Sequence, residues 1–201
     1  MPDVTLGPGG LAGTGVYAAR DFAVGEVVVD YELQPLDEAG YLALPPGEHL
    51  FVHSYGGRRH LYPAPARFVN HADDPSCYQD FDRGCDVALR PIARGEPITI
   101  DATQETAREL STFLDAYRGR DLAPLVDSEA VLWLSGRVFR GREAVVAVLF
   151  DEPEPALDAV EWMVGTGRWE AACSAVDGDR HLTMLLKVIR GNWQMVYQHR
   201  G

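Results

Sequence analysis

Lysine is almost missing from this chain. Lys187 is the one Lys among 18 basic residues, so 17 are Arg. That skew suggests a GC-rich, bacterial genome more than any mechanism. Cysteine is scarce too. Cys77, Cys85 and Cys173 are an odd count with no CxxC spacing, so neither a disulfide framework nor a zinc pattern is signalled. No apolar run reaches the ~18 residues of a membrane span. The opening "MPDVTLGPGG" lacks the basic and apolar regions of a signal peptide. A cytoplasmic protein without a membrane partner is expected. Positive charge is also short, with 18 Lys and Arg against 30 Asp and Glu. Phosphate binding needs clustered Lys and Arg, so no nucleic-acid partner is expected. What remains is an ordinary folded composition, 46% hydrophobic and 24% charged over 201 residues, enough for one large domain or two small ones.

The two halves differ in grammar. Residues 1–103 are rich in Gly and Pro, and "GEVVVDYEL" (25–33), "CDVALRPI" (85–92) and "EPITIDA" (96–102) read as short strands bounded by turn residues. From residue 104 the pattern changes. Ala107, Leu110, Phe113, Leu114 and Tyr117 have helical spacing, with Thr103 or Thr106 as cap and Gly119 at the end. "GREAVVAVLF" (141–150) is a second helix. Strands follow at 129–135, 157–164, 168–176, 181–190 and 192–200, and the turns "DGD" and "GN" join the last three as an antiparallel meander. Two α+β domains are expected, 1–103 and 104–201.

Three stretches of the first half stand in a telling order: "GTGVYAARDFAVGEVV" (13–28), "RFVNHADDPSC" (67–77) and "VALRPIARGEPITIDA" (87–102). Gly13 and Gly15 let the backbone approach a ligand closely. Asn70 carries an amide that both donates and accepts, and His71 can bond through both ring nitrogens. Taken together, the three resemble the SET domain of S-adenosylmethionine-dependent protein-lysine methyltransferases, over roughly residues 5–102. The resemblance implies a β-clip-type assembly of short strands. It also implies a site for S-adenosylmethionine formed by Gly13, Thr14, Gly15, Val16, Tyr17, Asn70 and His71.

The chain departs from that pattern at informative places. The family's final motif ends in a Tyr that lines the lysine channel, and here Ala102 stands there. Ser76 replaces the usual Asn, Ala72 the usual Ser, and no Cys-rich segment follows. Tyr31, Tyr62 and Tyr78 are the phenols that can substitute in space. The residues Asp73, Asp74, Asp80, Asp82 and Asp86 lack the Gly and Glu positions of a calcium loop and read as a solvated face. His49, His53 and His60 fall on strand or loop, so no metal site is expected.

The second half, over roughly 104–201, resembles the SnoaL-like group of the nuclear-transport-factor-like superfamily. The resemblance rests on "FLDAYRGRDLAPLV", on "VLWLSGRVFRGREAVVAVL" and on the ending "GNWQMVYQHRG". It implies a cone: a curved antiparallel sheet around helices, with an apolar cavity. By alternation, Trp193, Met195, Tyr197 and His199 share one face of the last strand. Trp133, Trp162 and Trp169 complete the apolar set. Glu161, Lys187 and His199 are the polar candidates.

Three readings stay open. One is an S-adenosylmethionine-binding methyltransferase acting on a protein lysine or a small-molecule amine. Another is an isomerase or cyclase in the cone, with the first half as scaffold. The last is a non-catalytic binding protein. A homodimer through the outer sheet face is expected.

Overall fold

The computed structural model describes residues 2–10, 13–153, 155–167 and 169–201. It divides into two compact units. The first comprises Met1–Leu36, Leu44–His53 and His60–Arg108; the second comprises Asp37–Ala43, Ser54–Arg59 and Glu109–Gly201. The long helix begins at Thr103, where the grammar changes, but the units part within that helix, at Arg108 and Glu109. Two short segments of the first half, 37–43 and 54–59, group with the second unit. Both lie in the stretch that no motif covers.

Ten strands precede the long helix. They are β1 (Val4–Pro8), β2 (Thr14–Ala18), β3 (Val27–Asp30), β4 (Gln34–Leu36), β5 (Val52–Tyr55), β6 (Arg58–Leu61), β7 (Asn70–His71), β8 (Cys77–Asp80), β9 (Cys85–Ala88) and β10 (Pro97–Ile100). A short helix, α1 (Glu38–Leu42), follows β4, and the Asp37 carboxylate accepts from the Gly40 N–H at its start. The strands form three small sheets ordered β1-β2-β10-β7, β3-β9-β8 and β4-β6-β5. The expected strands at 25–33, 85–92 and 96–102 are β3, β9 and β10, each trimmed to four residues. Gly25 and Gly95, at φ 82° and 87°, turn the chain before β3 and β10. All four residues of β9 are buried, so this strand is covered on both faces.

The long helix is α2 (Thr103–Arg118). Its start is capped by Asp101, whose carboxylate accepts from the Thr103 N–H at 3.0 Å and from the Thr103 hydroxyl at 2.7 Å. Asp101 therefore takes the role expected of Thr103 or Thr106, because the capping acceptor lies outside the first turn. Leu110, Phe113, Leu114 and Tyr117 are all buried, as the spacing predicts, whereas Ala107, expected on the same face, is exposed at the first turns of the helix. After α2 come β11 (Val126–Leu134), β12 (Arg137–Arg140), α3 (Arg142–Asp151), β13 (Asp158–Val164), β14 (Glu170–Asp177), β15 (Arg180–Ile189) and β16 (Asn192–Arg200). Arg168, which the pattern included in a strand, lies outside the described residues.

These six strands form one sheet ordered β12-β11-β16-β15-β14-β13. β13 through β16 pair antiparallel in succession, as their short turns require. Two points correct the expectation. β11 lies parallel to β16, so the sheet is mixed; a helix and four strands separate the two in sequence. β12 was unforeseen. Its four residues return from β11 through Ser135 and Gly136, at φ 49° and 77°, the double positive φ of a tight hairpin turn.

The last strand holds a further correction. Leu186 faces Met195 but Leu185 faces Tyr197, so Val196 is an extra residue in the ladder. One inserted residue exchanges the two faces. Trp193 and Met195 point into the core before it, and Gln198 and Arg200 are buried beyond it, while His199 is exposed. The shared face expected for Trp193, Met195, Tyr197 and His199 therefore does not exist. The aromatics do not share one environment. Trp193 is 1% exposed and fills the core beside Phe113, Leu132 and Met184, whereas Trp133 and Trp169 are 44% and 54% exposed. Trp162, partly buried, packs against the core from outside.

The alternation in β15 holds: Leu182, Met184 and Leu186 are buried and Leu185 is exposed. Leu182→Ala is therefore expected to lower stability by about 2–5 kcal/mol and Leu185→Ala by less than about 1 kcal/mol. Urea denaturation followed by circular dichroism checks the difference. Equal effects would mean that the faces are wrongly assigned.

Candidate functional site

The site is built where β2, β7 and β10 meet. β10 pairs antiparallel with β2 and parallel with β7, Thr99 facing Asn70 and Ile100 facing His71. The Ala72 N–H donates to the Ile100 carbonyl at 3.0 Å, and the Ala102 N–H donates to His71 Nδ1 at 3.2 Å. His71 Nε2 lies 3.5 Å from Asp73 Oδ1. The ring thus ties its own segment to the end of β10. Ser76, fully buried, adds a second tie: its N–H donates to Thr99 Oγ1 at 3.0 Å and its Oγ accepts from the Thr99 N–H at 2.9 Å. A small hydroxyl at the position where Asn is usual serves here as a strand staple.

Asn70 meets the glycine-rich stretch across 55 residues of sequence. Its Nδ2 lies 3.4 Å from the Thr14 carbonyl, a long hydrogen bond. A Cβ on Gly15 would sit 3.1 Å from that Nδ2 and 3.2 Å from Gly9 Cα, so the close approach requires glycine there. Gly13 is at φ 66°, with open space where its Cβ would be. Val16 is buried, and the Tyr17 hydroxyl bonds to the Pro8 carbonyl. Gly13, Thr14, Gly15, Asn70 and His71 are therefore neighbours, and they present backbone groups and one amide.

A second polar group lies in the interior of the same unit. The buried Tyr31 hydroxyl donates to Asp86 Oδ1 at 2.7 Å. The Tyr62 hydroxyl lies 3.3 and 3.4 Å from the Glu105 oxygens, and Gln79 Nε2 donates to Glu105 Oε2 at 2.7 Å. Asp86 is 1% exposed, which corrects its reading as part of a solvated face. Asp73, Asp74 and Asp82 do face solvent. Of the three phenols, Tyr31 and Tyr62 come together with ring centroids 5.2 Å apart. Tyr78 is exposed, because its neighbours Cys77 and Gln79 take the inward face of β8.

Gln79, Asp86 and Glu105 were missed from sequence. Gln79 alternates inward with Cys77, a weak signal that was there to read. An Asp inside a strand and a Glu in a helical first turn both read as solvent-facing by default. Burial pushes the Asp86 carboxyl up to about 7; the Tyr31 hydrogen bond opposes this and the nearby charge of Glu105 adds to it.

The polar candidates of the second half do not converge. Lys187 is half-exposed and pairs with Glu170 Oε1 at 2.9 Å. Glu161 is exposed on β13, and His199 stands edge-on to Trp133 on the outer face. None belongs to the buried core, because the Val196 bulge and the strand phases turn all three outward.

Residues 13–101 match the SET domain. The match covers less than half of the chain and ends at Asp101, one residue before Ala102. No curated protein matches the chain. Among solved structures, a Plasmodium falciparum protein described as a histone methyltransferase is 16% identical, with a TM-score of 0.40 over 50% of this chain and 93% of that one. The humanized Chaetomium thermophilum Polycomb Repressive Complex 2 is 21% identical, at 0.40 over 51% of this chain and 15% of that one. A designed protein with a curved β-sheet is 10% identical, at 0.43 over 49% and 98%. Likeness this low establishes neither fold nor activity. Within the first unit, the neighbouring motif residues and the buried acid cluster are the two candidate sites.

Asp86 gives a pH test. Folded, it keeps its proton up to about pH 7; unfolded, it loses it near 3.8, the ordinary value for Asp. Folding takes up a proton between those values, so stability falls as pH rises through that window and levels off above it. Asp86→Asn stays neutral and is expected to flatten that part of the profile. Melting temperatures from pH 4 to 8 check this, and an unchanged slope would remove Asp86 as its source.

Proposed function

We propose that the chain is an S-adenosylmethionine-binding methyltransferase acting on an amine, a protein lysine or a small molecule, in the cytoplasm. The carrying observation is the match of residues 13–101 to the SET domain. The donor set suits the cofactor. Gly13 and Thr14 offer backbone groups beside open space, and Asn70 offers an amide whose one recorded bond is long. Gly13, Thr14, Gly15, Val16 and Tyr17 would hold one side of the cofactor, and Asn70 and His71 the other. When bound, the cofactor supplies a methyl group on a sulfonium. The chain's own contribution is to orient: His71 holds Ala102, and Gly15 keeps Asn70 close.

With Ala102 in place of the family's Tyr, no hydroxyl orients the acceptor amine at that position. Loss of one oriented polar group costs about 10²–10³ in rate, so turnover is expected to be slow and Ala102→Tyr to raise it. Among the described residues no helix is long and apolar enough to cross a membrane. The net charge of −12 supports a partner other than nucleic acid.

We further infer that the second unit is a SnoaL-like dimerisation module rather than a catalytic cone. Trp193, Phe113 and Met184 belong to its packed core. On the outer face Met163, Ala172, Leu185, Tyr197 and Val131 stand opposite one another in one row across five strands, with the half-exposed Trp133 beside it.

Calorimetry with S-adenosylhomocysteine tests the first reading. The native protein is expected to bind, and Asn70→Ala at least about tenfold more weakly, since the bonds of a half-buried amide enclosed by a ligand are worth about 1–3 kcal/mol. No binding, or binding unchanged by Asn70→Ala, rejects it. Sedimentation of the full chain tests the second: a dimer is expected, and a monomer for Leu185→Glu. A native monomer at micromolar concentration sinks it.

A further inference from the structure

The first unit buries two carboxylates in a small β-core. Asp86 comes from the middle of β9, and Glu105, also buried, from the first turn of α2. Aromatic rings wall them. Tyr31 bonds to Asp86 and tilts 55° against Tyr62. The His53 ring stands edge-on to Tyr62 at 5.0 Å, with its Nδ1 3.7 Å from Glu105 Oε1. The His53 side chain is 30% exposed, which gives the cluster an edge at solvent.

An independent observation lies beside them. Gln79 is 7% exposed and gives its Nε2 to Glu105. Its Oε1, on the same amide, is buried and accepts no hydrogen bond. Such an orphan bears the full desolvation penalty of a buried acceptor. Flipping the amide does not remove the cost, because it would set Oε1 against a carboxylate oxygen and leave Nε2 without an acceptor. The position calls for a donor.

We propose that Glu105, Asp86 and Gln79, walled by Tyr31, Tyr62 and His53, form a binding site for an organic amine cation. An ammonium carries three N–H donors, enough for Glu105 and the open Gln79 carbonyl together. Its charge offsets the cost of two buried carboxylates, and its alkyl groups fit aromatic faces, which attract cations. An anion is repelled by the same acids. A metal ion is a poorer fit, since among the described residues no three His, Cys, Asp or Glu are grouped to hold one. Use of the amine as methyl acceptor rests on the reading above, whereas the binding step can be measured without it.

The probe is n-butylammonium, with 1-pentanol as its neutral counterpart of similar size, titrated calorimetrically into the full chain. Saturable amine binding is expected, at least tenfold tighter than the alcohol, and Glu105→Gln is expected to weaken it at least tenfold. In the native protein, affinity is expected to rise from pH 6 to pH 8 as Asp86 loses its proton. The groups facing Asp86 are Tyr31, Glu105 and the Cys77 and Cys85 thiols, and His53 faces Glu105. No saturable amine binding, equal binding of amine and alcohol, or an affinity indifferent to pH overturns the proposal. These native measurements decide it even if Glu105→Gln fails to fold. A parallel titration with S-adenosylhomocysteine separates the two ideas: cofactor binding without amine binding refutes this site alone, and the reverse refutes the cofactor reading alone.

Discussion

Two residues of parallel pairing, Thr99 to Asn70 and Ile100 to His71, set the geometry of the first unit's site. Parallel strands need a long crossover, commonly a helix. Here the crossover from β7 to β10 is made of β8 and β9, which themselves form part of another sheet. A two-residue ladder is weak by itself, at about 0.5–1.5 kcal/mol per hydrogen bond. The chain reinforces it at both ends, with Ser76 bonded both ways to Thr99 and His71 holding the Ala102 N–H. Asn70 can then stand against Gly15, and Asp101 can cap α2.

The same pairing sets the phase of the acid cluster. Because α2 starts at Thr103, Glu105 falls in its first turn and meets Gln79. Asp86 lies on a strand buried on both faces, where an aliphatic residue would satisfy the core. A sequence that breaks a local rule in so small a core usually does so for function. The phenols of Tyr31 and Tyr62 satisfy part of the polar demand, and the Gln79 carbonyl shows that part of it is unmet.

The second unit is governed by packing. Its helices and sheet close on Trp193, Phe113 and Met184, and a single extra residue at Val196 decides which polar side chains are enclosed. Without the bulge, Tyr197 and His199 would enter the core in place of Gln198 and Arg200. With it, the Tyr117 hydroxyl donates to Gln198 Oε1 at 2.9 Å inside the core, and the outer face keeps its apolar row.

By itself the sequence determined the mostly local features. Helical spacing marked α2 down to its buried positions, period-2 runs marked β15 and its two faces, and three ordered motifs marked the SET domain between residues 13 and 101. These depend on neighbours three, four or two residues apart, which a linear reading can see. Only the tertiary structure decided that Asp86 is buried, that Gln79 and Glu105 join it, that β11 runs parallel to β16, and that His199 faces outward. Each depends on how strands distant in sequence are paired. A one-residue slip such as Val196 reverses every side chain beyond it, and nothing in the local pattern records the partner strand against which the slip occurs.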